Sequence, residues 1–327
     1  MSRVTWLALS LFLIGCGGND AAVDAHPGDP QIDAPRNPFM TLVRFDVGMQ
    51  QLPEGVVSIR GLVHVGLAPL GQIVKITSPG VFKPFGELPL PISNTYTLGL
   101  VANANDEIFV AVGASGPNPM PGPGVYKLPA AGGTALLFSS SPLMTFPNGI
   151  DLDGTKLYVT DSSAGRILEI DERGIVSLWL EDPMLAGSTT ACGGTQSPFP
   201  IGANGIAHDA NYRYVAVTDH GRIVRIPIKA TGGAGLPVVH AESCTTLKGI
   251  DGISLQAPGQ LVGVRNAPTG ALVSIAMNGL VIPIHTGTPL DGPASIAPDE
   301  GVGGWVITNS AFSSGDAGKP GVLGLPF

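Results

Sequence analysis

One short string recurs along the chain and restricts its fold more than any other feature. It is a Gly followed by an alternating apolar run. Gly71-Gln72-Ile73-Val74-Lys75-Ile76 and Gly165-Arg166-Ile167-Leu168-Glu169-Ile170 are two copies; others start at Gly124, Gly221, Gly270 and Gly321, making six. Alternation rich in β-branched residues predicts strands. Each copy follows a second strand, such as Leu157-Tyr158-Val159-Thr160 or Trp305-Val306-Ile307-Thr308. Before that comes a third, opened by what reads as a small turn: Glu54-Gly55-Val56, Leu98-Gly99-Leu100, Asn148-Gly149-Ile150, Asn204-Gly205-Ile206, Asp251-Gly252-Ile253 and Ala294-Ser295-Ile296. These openings are 44, 50, 56, 47 and 43 residues apart. A fourth strand follows the Gly-led one at 81–85, 135–138, 175–179, 236–240 and 281–285. Four strands at this period make a propeller blade. The sixth unit stops after three strands, at Phe327, and residues 41–47 supply its outer strand. The expected fold is therefore all-β: a six-bladed β-propeller of four-stranded blades, its ring closed by an N-terminal strand that completes the last blade and hides a sheet edge.

Composition agrees. Of 327 residues, 44% are hydrophobic and 13% charged, enough to bury a sizeable core. The 46 Gly and 30 Pro follow no collagen period and suit many short turns. A formal net charge of −8 argues against nucleic acid as a partner. The N-terminus reads as an address. Arg3 precedes an apolar run over 4–14 that is too short to span a bilayer and ends in Leu13-Ile14-Gly15-Cys16. This string resembles the bacterial lipobox, whose Cys is acylated; the alternative is an ordinary signal peptide with a chance Cys. The expected organisation is a signal peptide over 1–15, acylated Cys16 with a flexible tether over 16–38, and the propeller over 39–327. Gly17, where an Asp would signal inner-membrane retention, points to the outer membrane. An exported, lipid-anchored monomer is expected. Two cysteines remain, Cys192 and Cys244, in loops that should leave adjacent blades on one face. They form either a disulfide across the rim or a pair of buried thiols.

The starts of the innermost strands converge on one mouth of a propeller's channel. Around the ring they carry Glu54, Leu98, Asn148, Asn204, Asp251 and Ala294, with no Lys or Arg. Two carboxylates and two amides suit calcium, which takes hard oxygen ligands. The competing reading is that Asn-Gly and Asp-Gly merely make tight turns. Rim loops after the second strands add Asp161, Ser162 and Ser163, then Asp219 and His220, then Arg265 and Asn266, of which His220 is a candidate substrate contact. His208 and His240 read as structural. The chain has no zinc-type Cys/His spacing, no Gly-x-Ser-x-Gly elbow and no Gly-rich phosphate loop.

The ordered mouth residues, with Phe146-Pro147-Asn148-Gly149-Ile150 and Leu157-Tyr158-Val159-Thr160-Asp161-Ser162, resemble the SMP-30/gluconolactonase/luciferin-regenerating-enzyme family over residues 41–327. The resemblance implies a six-bladed propeller with a divalent metal, usually calcium, on its axis and hydrolysis of lactones or related esters. It implies metal ligation by Glu54, Asn204 and Asp251, a metal-proximal or substrate-binding role for Asn148, and Asp251 as the base that activates water. The chain departs from the pattern where catalytic members carry a substrate-holding Arg near the first Asn; here Thr145, Phe146 and Pro147 stand there. The Pro-rich segment 117–123 is a further departure that could crowd the mouth. The alternative function is a non-catalytic, NHL-like propeller that binds a protein or glycan at the cell surface.

Overall fold

The computed structural model describes residues 38–194, 197, 199–267, 269–312 and 320–326. Cys16, the expected signal segment and most of the expected tether lie outside them. The described chain is a six-bladed β-propeller built almost wholly of antiparallel strands, with short 3-10 turns between some of them. From the axis outward, the first blade runs Pro53–Ile59, Leu62–Leu67, Gln72–Ser78, Val81–Glu87. The innermost strands of the next five blades are Thr95–Ala102, Pro147–Asp153, Ala203–His208, Ile250–Ala257 and Pro293–Asp299. A two-residue strand, Gly133–Thr134, adds a parallel fifth partner to the first blade's edge.

The sixth blade has only three strands from its own stretch of sequence. Its outer strand is Met40–Arg44, which pairs antiparallel with Gly321–Pro326. Leu42, Val43 and Phe45 then pack with Val56, Val65 and Val306, so residues from both ends of the described chain share one apolar cluster. Five equivalent clusters fill the other interfaces between neighbouring blades. The core is thus a ring of six wedges with no common centre, because each sheet buries both faces against its neighbours.

The mouth residues are not on turns. In every blade the innermost strand slips one residue against its neighbour, between Pro53/Val56, Thr97/Leu100, Pro147/Ile150, Ala203/Ile206, Ile250/Ile253 and Pro293/Ile296. Each slip is a β-bulge, which re-aims side chains and increases local twist. The glycine after the mouth residue has no positive φ in any of the five blades that carry it. Its role is steric. A Cβ at Gly55 would lie 1.9 Å from the Leu98 carbonyl oxygen, one at Gly149 2.3 Å from that of Asn204, and one at Gly205 2.2 Å from that of Asp251. Each blade's mouth carbonyl occupies the space a side chain on the preceding blade would need. The sixth blade carries Ser295 instead, where the ring meets the first blade.

This packing makes a direct prediction. Gly149→Ala must push the third and fourth blades apart at the axis, and overpacking of this kind costs roughly 1–3 kcal/mol or more. Urea unfolding should show that loss, whereas Ser295→Gly should be tolerated.

Candidate functional site

A cavity of about 390 Å³ opens at the mouth of the channel, and Glu54, Asn148, Asn204 and Asp251 all line it. The four residues come from four blades and are brought together by the shared bulge. Asn148, Asn204 and Asp251 are each less than a tenth exposed. Leu98 lines the cavity as well, so the second blade contributes an apolar element to the polar ring.

A hydroxyl relay sets the direction of the amides. The Ser162 hydroxyl donates to the Ala203 carbonyl at 2.6 Å and accepts from Asn148 Nδ2 at 3.0 Å. One blade on, Thr218 donates to the Ile250 carbonyl at 2.8 Å and accepts from Asn204 Nδ2 at 3.0 Å. A hydroxyl has a single proton, already given to the carbonyl, so the amide nitrogen must face it. The Asn148 and Asn204 carbonyl oxygens therefore point away from these hydroxyls. In the fifth blade the equivalent residue, Asn266, donates to Asp251 Oδ2 at 3.0 Å. In the sixth it is Ser310, whose hydroxyl meets the Pro53 carbonyl and lies 3.3 Å from Glu54 Oε2. The relay thus ties the third blade to the fourth, the fourth to the fifth and the sixth to the first while orienting mouth residues.

Burial raises the Glu54 carboxyl well above the usual carboxylate range. The neighbouring Asp251 charge adds to the rise and the Ser310 hydroxyl opposes it. Burial likewise pushes Asp251 up to about 7, against hydrogen bonds from Asn266 and Asn204 that favour its anion. Two carboxylates held this way favour either a proton or a cation between them. Among the described residues, no three His, Cys, Asp or Glu side chains group as a metal-binding cluster. Any metal at the mouth would therefore depend on the amide oxygens as well.

Rim loops supply the rest of the wall. Asp219 and Asn266 line the cavity. His220 does not; it is half-buried, and burial and the nearby Arg222 lower its pKa. Asp161 lies behind the wall, where it accepts from the Phe146 amide at 3.0 Å and the Thr145 hydroxyl at 2.6 Å. Arg265 braces the rim by donating to the Thr245 and Thr269 carbonyls. The Pro-rich segment over 117–123 is tied to the second blade through Asn94 and Thr95 and does not line the cavity.

Sequence reasoning missed Tyr96, Phe146, Phe199, Lys248 and Phe312, all of which face the cavity. Lys248 follows the loop that bears Cys244, and its ammonium donates to the Cys192 carbonyl at 2.7 Å. Cys192 and Cys244 are disulfide-bonded, with Cα atoms 5.1 Å apart. The bond and the lysine together clamp the loop that carries Phe199 to the loop that leads into Asp251.

The raised carboxyls have a pH signature. A group whose pKa is higher folded than unfolded contributes stability that is fully present below its unfolded pKa and lost as pH rises through the folded one. For Asp251 that loss runs from about pH 4 to beyond 7, and Glu54 acts in the same direction. His208, raised by its hydrogen bond to Asp151, also loses its contribution as pH rises. His64, lowered to about 4 by burial, acts oppositely below its ordinary value. In chelator, the melting temperature should therefore fall from pH 6.5 to 8.5. Asp251→Asn should flatten that fall while leaving the His208 share; an equally steep fall in the variant would show that the carboxylate pair is not its source.

No family model and no curated protein sequence matches the chain, but solved structures do. A calcium-binding regucalcin from Agrobacterium tumefaciens aligns with 86% of this chain and 92% of its own length at TM-score 0.62 and 16% identity. A protein assigned as a gluconolactonase aligns over 87% and 90% at TM-score 0.62 and 14% identity. A PQQ-bound aldose sugar dehydrogenase from Streptomyces coelicolor aligns over 87% and 95% at TM-score 0.60 and 15% identity. At such identities the likeness is one of fold, and this fold carries different chemistries. In architecture the chain is a six-bladed β-propeller like those of the regucalcin and the gluconolactonase-assigned protein.

Proposed function

We propose that this is an exported propeller, anchored through acylated Cys16, that binds calcium at the mouth of its channel and hydrolyses a lactone or ester there. The observation that carries the reading is the convergence of Glu54, Asn148, Asn204 and Asp251 on one cavity, with the amides held nitrogen-outward by Ser162 and Thr218. The donor set fits the ion. It is all oxygen, without thiolate or imidazole, and it includes two buried carboxylates whose mutual repulsion a divalent cation would relieve. Glu54, Asn204 and Asp251 would hold the metal, and Asn148 would face the substrate. The regucalcin to which the chain is similar is described as a calcium-binding protein.

When bound, the cation would supply Lewis acidity toward a carbonyl oxygen. The chain's own residues do the proton work. Asp251 accepts a proton from the attacking water as its oxygen bonds to the carbonyl carbon. The C–O bond to the leaving alcohol then breaks, and Asp251 returns the proton to that oxygen. Asn266 and Asn204 are positioning residues, since their hydrogen bonds fix the direction of the Asp251 carboxylate.

The test is thermal unfolding after chelation and then with added calcium. A ligand bound only by the folded state stabilises by about 2.7 kcal/mol at a concentration 100 times its Kd. The wild type should gain melting temperature with calcium, whereas Asp251→Ala should gain none. Metal-free purified protein with no calcium response would remove the reading. Separately, Cys16→Ser should move the protein from the membrane fraction to the soluble one.

A further inference from the structure

The polar ring is only the floor of the cavity. With it the cavity is lined by an aromatic and aliphatic set, Tyr96, Leu98, Phe146, Phe199, Ile201 and Phe312, and by the polar Asp219 and Lys248. Phe146 and Phe199 meet edge-to-face with centroids 5.0 Å apart, so they form one continuous surface instead of two separate contacts. Phe146 is held by the hydrogen bond its backbone N–H donates to Asp161, and the loop that carries Phe199 is held by the disulfide. Most of the apolar part gathers in one sector; Phe312, on the sixth blade, is the exception. Tyr96 and Leu98 come from the second blade, and Phe146 and Phe199 flank the start and end of the third. Of the carboxylates, Asp251 stands across from this sector on the fifth blade, whereas Glu54, on the first blade, adjoins Leu98.

We propose that the substrate is amphipathic: a lactone or ester whose carbonyl end rests on the polar floor and whose alkyl or aryl group lies against Tyr96, Leu98, Phe146 and Phe199. This rests on the reading of the mouth cavity as the ligand site. A polyhydroxylated lactone is the wrong shape of polarity for this wall. Its hydroxyls would be buried against Leu98 and Phe146 without partners, which is unfavourable for each group so placed. An alkyl chain has the opposite balance, because each methylene buried there tightens binding about fourfold.

The experiment uses the full chain carrying Cys16→Ser, which removes the lipid that would compete for an apolar probe. Binding of γ-butyrolactone, γ-caprolactone, γ-octalactone and γ-decalactone is measured by calorimetry with calcium present, beside glucono-δ-lactone. Affinity should climb with chain length by up to fourfold per methylene, and glucono-δ-lactone should bind no tighter than γ-butyrolactone. Phe199→Ser, checked for an unchanged unfolding midpoint, should make the series shallower. The alkyl series in the otherwise wild-type chain stands as a test if that variant does not fold. Flat affinity along the series, glucono-δ-lactone as the tightest ligand, or no lactone binding at all would overturn the proposal. Turnover is scored separately. Tight binding of γ-decalactone without hydrolysis would leave the amphipathic site intact and remove the hydrolase reading. Hydrolysis of glucono-δ-lactone in preference to the alkyl series would do the reverse.

Discussion

The closeness of the blades at the axis is the constraint on which the rest of this molecule depends. Six innermost strands must come near enough to enclose a channel, and a blade narrows toward that axis. Gly55, Gly99, Gly149 and Gly205 let the following blade's mouth carbonyl sit where a Cβ would be. The bulge at the same point turns the preceding residue into the channel. Packing and site therefore share one local device. A residue pair chosen for blade-to-blade contact also decides what faces the ligand.

Hydrogen bonding reinforces that device. A buried carbonyl at a bulge has lost a ladder partner and needs another. Ser162 and Thr218 supply it from the neighbouring blade and still have acceptor capacity for an Asn amide of their own. Ser310 does the same across the closure, where the last blade meets the first. The closure is thus polar at the axis and apolar at the rim, where Met40–Arg44 completes the sixth sheet. A ring joined in both places resists opening more than one joined at either.

Much of this was legible in the sequence. The Gly-led strands recur because each blade needs the same third strand, so the period located all six blades and the N-terminal closure. The mouth residues were legible because a bulge with a close-packed glycine leaves a dipeptide mark, although that mark looked like a turn. The similarity is physical: both settings select Gly after Asn or Asp, one for its dihedrals and the other for its missing Cβ. What period could not reach were the loop residues. Phe199 and Lys248 lie in segments with no repeat, and their place on the wall depends on the Cys192–Cys244 clamp. His220 is the converse case. It adjoins Asp219, which faces the cavity, yet adjacency in a turn does not make two side chains share a direction.

The asymmetry of the mouth gives the site its chemical direction. A fully polar ring would hold a hydrated ion and a hydrophilic ligand with no preferred orientation. Here Leu98 interrupts the ring between Glu54 and Asn148, and Tyr96 and Phe146 extend the apolar sector outward. A ligand entering this cavity meets Asp251 across from the main aromatic sector and Glu54 beside it. Burial of the carboxylates strengthens the field they exert, because little water screens it. The aromatic side helps exclude that water. The two halves are thus coupled: the wall that would select an apolar group also keeps the floor electrostatically strong, and a substitution that wets one would weaken the other.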